Sequence, residues 1–141
     1  MKKYQTHSKP KTIFFLFLML AVINSFAAED EKLYQVIDGK IDENTFEGWR
    51  TYNGGGCGQC HGSGGSGKSV KNLVESLIFK NNEKEIFKNY ITNGVPNTLM
   101  KPHKNDGRVM ENMDNLYAYL KARSDGILGP ENLIKFPLGK K

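Results

Sequence analysis

The chain has 141 residues, 20 of them Lys or Arg against 15 Asp or Glu, a net charge of +5 that would ordinarily raise the question of an acidic partner. Four of those lysines lie in the first 27 residues, which hold no acid. The remaining stretch carries 16 basic and 15 acidic side chains, a net charge of +1, so composition gives no electrostatic support to nucleic-acid binding. That stretch suffices for one domain with a modest core, the size class that often adds a disulfide, metal or cofactor.

Residues 1–27 run basic, then apolar, then small. Lys2, Lys3, Lys9 and Lys11 precede an apolar run from Ile13 to Ile23 and then Ser25-Phe26-Ala27. That order reads as a secretory signal peptide cleaved after Ala27. The apolar run is shorter than the roughly 20 residues of a spanning helix, so no stable membrane insertion is expected after cleavage. Residues 28–141 form the expected domain, with a tail from about 127.

Residues 28–48 hold seven acids and two lysines, and 28–40 read as a surface arm or short strand. A first helix is predicted over 42–52, with Asp42 as N-cap and acids in its first turn. Gly48 inside it costs about 1 kcal/mol relative to Ala, which implies a packing reason. Gly54-Gly55-Gly56 ends the helix, and a glycine-rich loop covers 62–67. Apolar residues at 70, 73, 74, 77 and 78 predict a helix over 70–79. Asn82 and Glu85 have the spacing of a capping box for a helix to about Thr92, stopped by Gly94. Residues 95–107, with Pro96 and Pro102, read as loop. A last helix is predicted over about 108–124, with one apolar stripe at 109, 113, 116, 117 and 120, closed by Gly126. The fold class is all-α.

Cys57-Gly58-Gln59-Cys60-His61 is the attachment signature of a c-type haem. Two thiols at this spacing add to the two vinyl groups of a porphyrin, and the adjacent imidazole reaches the iron from one face. One covalent haem c is therefore expected, on Cys57, Cys60 and His61. A thioredoxin-like pair would need a βαβ setting. Zinc would need four ligands, and His61 beside Cys60 is poorly placed to share a tetrahedral metal with it. Residues 62–69 also match the P-loop pattern, but a strand before it and a phosphate-binding helix after it are missing from the reading.

The second axial ligand is expected to be Met100, 39 residues after His61, in a loop made stiff by the Gly94 helix stop and Pro96. His103 is the rival in the same loop. Met110 and Met113 lie on the last predicted helix, where methionine usually fills core. A Met/His pair raises the reduction potential relative to two histidines and closes the iron to outside ligands. Electron transfer is expected, and enzyme activity is not.

The sequence resembles class I cytochromes c, and within them the cytochromes that accept electrons from PQQ-dependent methanol dehydrogenases, especially the lanthanide type. The resemblance spans about residues 40–129. It is carried by Phe46-Glu47-Gly48-Trp49-Arg50-Thr51-Tyr52, by the haem motif, by the stretch from Asn93 to Met100, and by Leu116-Tyr117-Ala118-Tyr119-Leu120-Lys121-Ala122-Arg123-Ser124-Asp125-Gly126. It implies a first and last helix that cross beside the haem, with Gly48 admitting Tyr117 or Tyr119. It also implies a periplasmic carrier that takes electrons from such an alcohol dehydrogenase and passes them to another cytochrome c or an oxidase. A carrier for a different oxidative enzyme is the alternative; a haem enzyme or gas sensor with an open iron is disfavoured by Met100. Two departures mark this chain. The family usually has Met-Pro where Met100-Lys101-Pro102 stands. Many relatives have a proline before the Asn-Leu at 72–73, its carbonyl accepting from the haem histidine; here Lys71 takes that place. Lys68, Lys71, Lys101 and Lys104 are expected to form a basic rim at the haem edge.

Overall fold

The computed structural model describes residues 32–129 and 137–138. The expected leader and most of the tail lie outside the described residues. Strand β1 (Val36–Ile37) folds back on β2 (Lys40–Asp42) in an antiparallel pair, Val36 opposite Ile41. The turn is Asp38-Gly39, both with positive φ (51° and 72°), the two-residue geometry that Asp-Gly favours. That dipeptide marks the hairpin that a reading of 28–40 as arm or short strand passes over. Strand β3 (Pro137–Leu138) pairs in parallel with β2. The rest of the described chain is helical or irregular, as an all-α domain requires.

Helix α1 (Glu43–Gly54) starts where Asp42 ends β2. The Asp42 carboxylate accepts from the Thr45 amide (2.9 Å), the Thr45 hydroxyl (2.6 Å) and the Gln35 amide (2.7 Å), so one side chain caps the helix and ties it to the hairpin. The helix buries Thr45, Gly48, Thr51 and Tyr52 on one face, against α6 (Met113–Ser124). The crossing needs Gly48. A Cβ there would fall 2.0 Å from the Asn115 carbonyl oxygen and 2.8 Å from Tyr119 Cβ, so the predicted partner is Tyr119, together with the α6 backbone.

Helix α6 is buried on far more than one stripe. Met113, every residue from Leu116 to Leu120, Ala122 and Arg123 are all buried. It is the central helix, packed by α1, by the turn at Ser63–Gly65, and by α3 (Leu77–Lys80), α4 (Lys84–Asn93) and α5 (Gly107–Glu111). Phe79, Phe87 and Tyr117 form a triangle of rings with centroids 5.4 to 5.6 Å apart. The Tyr117 hydroxyl is buried and has no hydrogen-bond partner among the described residues.

Three local expectations are corrected. The helix predicted over 70–79 is helical only at Leu77–Lys80. The backbone ahead of it bonds elsewhere: the Leu73 amide to Gly65 (2.8 Å), the Val74 amide to the Asn72 side chain (2.9 Å), and the Val74 carbonyl to the Ser124 hydroxyl (2.7 Å). Tertiary partners outweigh the local period. Asn82 does not cap α4; with φ of 57° it closes α3 in the left-handed conformation that Asn tolerates. The last helix is two, broken at Asn112 (φ −111°, ψ 22°), whose side chain turns back to the Arg108 carbonyl (3.0 Å).

Candidate haem site

Gly55 stops α1 by donating to the Thr51 carbonyl (2.8 Å), and the chain re-enters a helix at once. Cys57 has helical dihedrals (φ −57°, ψ −37°) and leads α2 (Gly58–His61). The Cys60 and His61 amides both donate to the Cys57 carbonyl, at 3.3 and 2.9 Å. One helical turn thus sets Cys57, Cys60 and His61 at spacings of three and four residues, on one face. Neither cysteine is in a disulfide. Burial pushes the Cys57 thiol above its usual range, and the Asp106 carboxylate adds to the shift, so Cys57 is held as neutral thiol.

His61 is oriented by the backbone. Its Nδ1 lies 3.1 Å from the Lys71 carbonyl oxygen. A carbonyl can only accept, so Nδ1 carries the proton and Nε2 presents its lone pair. The missing proline at Lys71 costs nothing here, because the accepting atom is main chain. Unbridged thiols on one turn and an imidazole fixed as an Nε2 donor fit a covalent haem c. Among the described residues no cluster of three or more His, Cys, Asp or Glu offers a metal cage instead.

The glycine-rich loop at 62–67 is fixed in place. Gly62, Gly64 and Gly65 are buried. The Gly67 amide donates to the His61 carbonyl (2.7 Å) and the Ser69 amide to Cys60 (3.2 Å). The amides a phosphate would need are turned onto the haem motif, which removes the P-loop reading. Two residues that sequence reasoning did not single out hold this loop. The Tyr52 hydroxyl donates to the Gly62 carbonyl (2.7 Å), and Arg123 Nε donates to the Gly64 carbonyl (3.0 Å). Burial raises the Tyr52 hydroxyl well above its usual range, so it stays a donor. Both residues lie in stretches that carry the family resemblance; only the fold shows what they touch.

Met100 lies half-buried against the core, in the loop between α4 and α5. The loop is pinned at its base. A Cβ on Gly94, where φ is 72°, would meet the Met100 carbonyl oxygen at 2.5 Å and the Pro102 nitrogen at 3.0 Å, so the backbone at 100–102 crosses directly over this glycine. The Val95 amide donates to the Met100 carbonyl (3.1 Å), and the His103 amide to Ile91 at the end of α4 (2.9 Å). The inserted Lys101 is absorbed in that crossing. Asp106 caps α5 by accepting from the Val109 amide (3.2 Å), and α5 sets Val109 against Gly55, beside Cys57. The exit of the Met100 loop is therefore anchored next to the first cysteine. Met113 is core, as expected. Met110 lines a hollow of about 280 Å³ with Lys88, Thr92, Glu111, Met113 and Asp114, a charged wall that poorly suits a porphyrin face.

Three comparisons bear on this site. A family profile described as cytochrome c oxidase, cbb3-type, subunit III matches residues 43–120. Cytochrome c-555 of Methylococcus capsulatus is 36% identical over 96 residues, 67% of this chain and 75% of that protein. The crystal structure of the c-type cytochrome XoxG from Methylobacterium extorquens AM1 superposes with a TM-score of 0.63 at 30% identity, covering 77% of this chain and 66%, just under two thirds, of the other.

Proposed function

We propose a specific role for this chain, which belongs to the c-type cytochromes, carries covalently bound haem c and has the class I fold. It is an electron carrier and not an enzyme. In the proposed role it is exported to the periplasm after loss of residues 1–27. It holds one haem by thioethers at Cys57 and Cys60 with His61 and Met100 as axial ligands. It accepts electrons from a PQQ-dependent alcohol dehydrogenase acting on methanol, and delivers them to another cytochrome c or an oxidase. No described helix is long and apolar enough to cross a membrane.

The observation that carries this reading is the bond from His61 Nδ1 to the Lys71 carbonyl, beside two unbridged thiols on the same turn. When bound, the haem supplies a one-electron ferric/ferrous couple. The chain does the rest. Lys71 fixes the tautomer and plane of His61. The crossing at Gly94 holds the Met100 segment rigid at its base, which supports Met100 over His103 as the second ligand. A methionine there raises the potential and excludes small ligands.

The partner assignment rests on the resemblance of 46–52 and 116–126, and the similarity to XoxG supports it. Lys68, Lys71, Lys101 and Lys104 are all exposed, and none is ion-paired among the described residues. Four unpaired cations near the haem motif and the Met100 loop suit docking on an acidic surface, with steering screened beyond about 8 Å at physiological salt. The match to an oxidase-subunit profile favours the second reading, a carrier serving a different respiratory enzyme.

The test is reduction of the purified haem protein by a quinoprotein methanol dehydrogenase plus methanol. Reduction is expected to be faster at low salt. Lys101→Glu with Lys104→Glu should slow it about tenfold through association, with an unchanged haem spectrum. A rate indifferent to salt and to these charges removes the basic rim. No reduction at all removes the methanol dehydrogenase and leaves the second reading.

A further inference from the structure

We propose that Arg123 sets the reduction potential of the haem, by holding against the turn that follows its histidine a buried positive charge that has no carboxylate partner among the described residues. The inference rests on the reading that the haem is attached at Cys57, Cys60 and His61.

Arg123 sits in the last turn of the central helix and is only 5% exposed. Its guanidinium donates from Nε to the Gly64 carbonyl (3.0 Å) and from Nη1 to the Leu128 carbonyl (2.8 Å). Among the described residues no carboxylate pairs with it; the nearby Asp125 is held by Lys121 and the Tyr34 hydroxyl. The two carbonyl oxygens take donors from Nε and Nη1 but leave the net charge in place. A buried charge in that state is costly, and two main-chain bonds do not remove it.

The charge is close to the haem motif along the chain and in space. Gly64 lies three residues after His61, and a Cβ on Gly64 would meet Arg123 Nε at 2.7 Å, so nothing separates guanidinium from turn. The same turn returns to the motif through the bond from the Gly67 amide to the His61 carbonyl. On the other side stand Tyr52 and Tyr119, ring centroids 5.8 Å apart, and the charge of Arg123 acts on both hydroxyls. Tyr52 is also within electrostatic reach of Cys57. The buried cation is thus linked to the haem motif through the 62–67 turn and through Tyr52.

Reduction adds one electron to the haem and lowers its charge by one. A fixed cation in that position opposes the ferric state more than the ferrous state, and so raises the potential. The low interior dielectric makes the effect large for one residue, and burial keeps salt from screening it. The exposed lysines of the rim differ on both counts.

The test is a redox titration of the haem-loaded full chain against a fixed reference couple. In Arg123→Gln the ferrous-to-ferric ratio at a given potential should fall about tenfold, equivalent to about 59 mV for one electron, and the shift should persist in high salt. Arg123→Lys should recover most of it, and Arg123→Met should match Arg123→Gln. Ile127→Glu, at a half-exposed position next to Leu128, sets an acid near the guanidinium without touching the core. It should lower the ratio about twofold. Equal potentials in wild type and in all haem-loaded variants, with unfolding stability alone reduced, would make Arg123 a structural clamp and overturn the proposal. Absence of covalent haem in the wild-type chain overturns this inference together with the reading beneath it.

Discussion

On the histidine side of the haem motif, the loop that follows it is bonded to residues distant in sequence. The Lys71 carbonyl holds His61, Tyr52 and Arg123 hold the carbonyls of Gly62 and Gly64, and Ser124 holds Val74. On the Met100 side, the loop tip bonds mainly to itself. The Thr98 amide and hydroxyl both donate to the Val95 carbonyl (3.2 and 2.8 Å), and the Met100 amide donates to the Thr98 hydroxyl (3.1 Å). Leu99 at the tip is 82% exposed, and Asn97 has a left-handed φ of 60°. The difference shows two ways to place the two proposed axial ligands. His61 is set by the folded polypeptide. Met100 is set at its base by the Gly94 crossing, and its side chain would be held by the iron in the proposed ligation.

That comparison can be broken most severely at Gly48. Gly48→Ala drives a Cβ into the α6 backbone, so α1 and α6 must separate, with an expected loss of about 3 kcal/mol. Denaturant unfolding of the haem protein measures it. A loss under about 1 kcal/mol would mean that the crossing yields easily and that the histidine side is less rigid than described.

A smaller effect is expected from the other side. Met100→Ala should keep covalent haem and fold, lose the sulfur-to-iron absorption band, and admit added cyanide or imidazole. Its unfolding stability should fall by less than that of Gly48→Ala. His103→Ala should leave the band intact. The reverse pattern, with the band lost in His103→Ala only, would transfer the ligand to His103.

The smallest effect concerns the strap between the regions. Asp114 on α6 pairs with Lys88 (2.8 Å) and Lys84 (3.2 Å) of α4, the helix that leads into the Met100 loop. The Lys88 hydrogen bond, then Lys84, hold its carboxyl below the ordinary 3.8. A folded value below the unfolded one gives stability that is present above 3.8 and lost as pH falls through the lowered value. The Asp114 side chain is 62% exposed, so solvent screening limits the contribution to about 0.5 kcal/mol. Asp114→Asn should lose that amount at neutral pH and match wild type in strong acid. An equal difference at both pH values would assign the effect to packing.

The haem motif, the capped first helix, the glycine stop at 94 and the need for a close approach at Gly48 are all legible in the sequence, because each depends on residues within about one helical turn or on a fixed chemical spacing. The helix over 70–79 misleads for the opposite reason. Its apolar period is real, but its amides and carbonyls are taken by Gly65, His61 and Ser124, and no local pattern records those partners. Asn82 and Asn112 fall in the same class: Asn82 takes the left-handed conformation and Asn112 bonds back to the Arg108 carbonyl, and an Asn can open, close or break a helix according to what surrounds it.

The sequence by itself determined the cofactor chemistry: two thiols and an imidazole at a spacing that suits a porphyrin, and a small set of distal ligands from which Met100 was favoured. Only the tertiary structure decided how those groups are held. The carbonyl of Lys71, 10 residues from His61, and the guanidinium of Arg123, 59 residues from Gly64, reach the site because α6 runs through the centre of the fold. Main-chain atoms and long-range hydrogen bonds have no signature in residue type. A lysine that supplies a carbonyl looks like any surface lysine, and an arginine that brings a buried charge looks like the end of a helix, until the chain is folded around them.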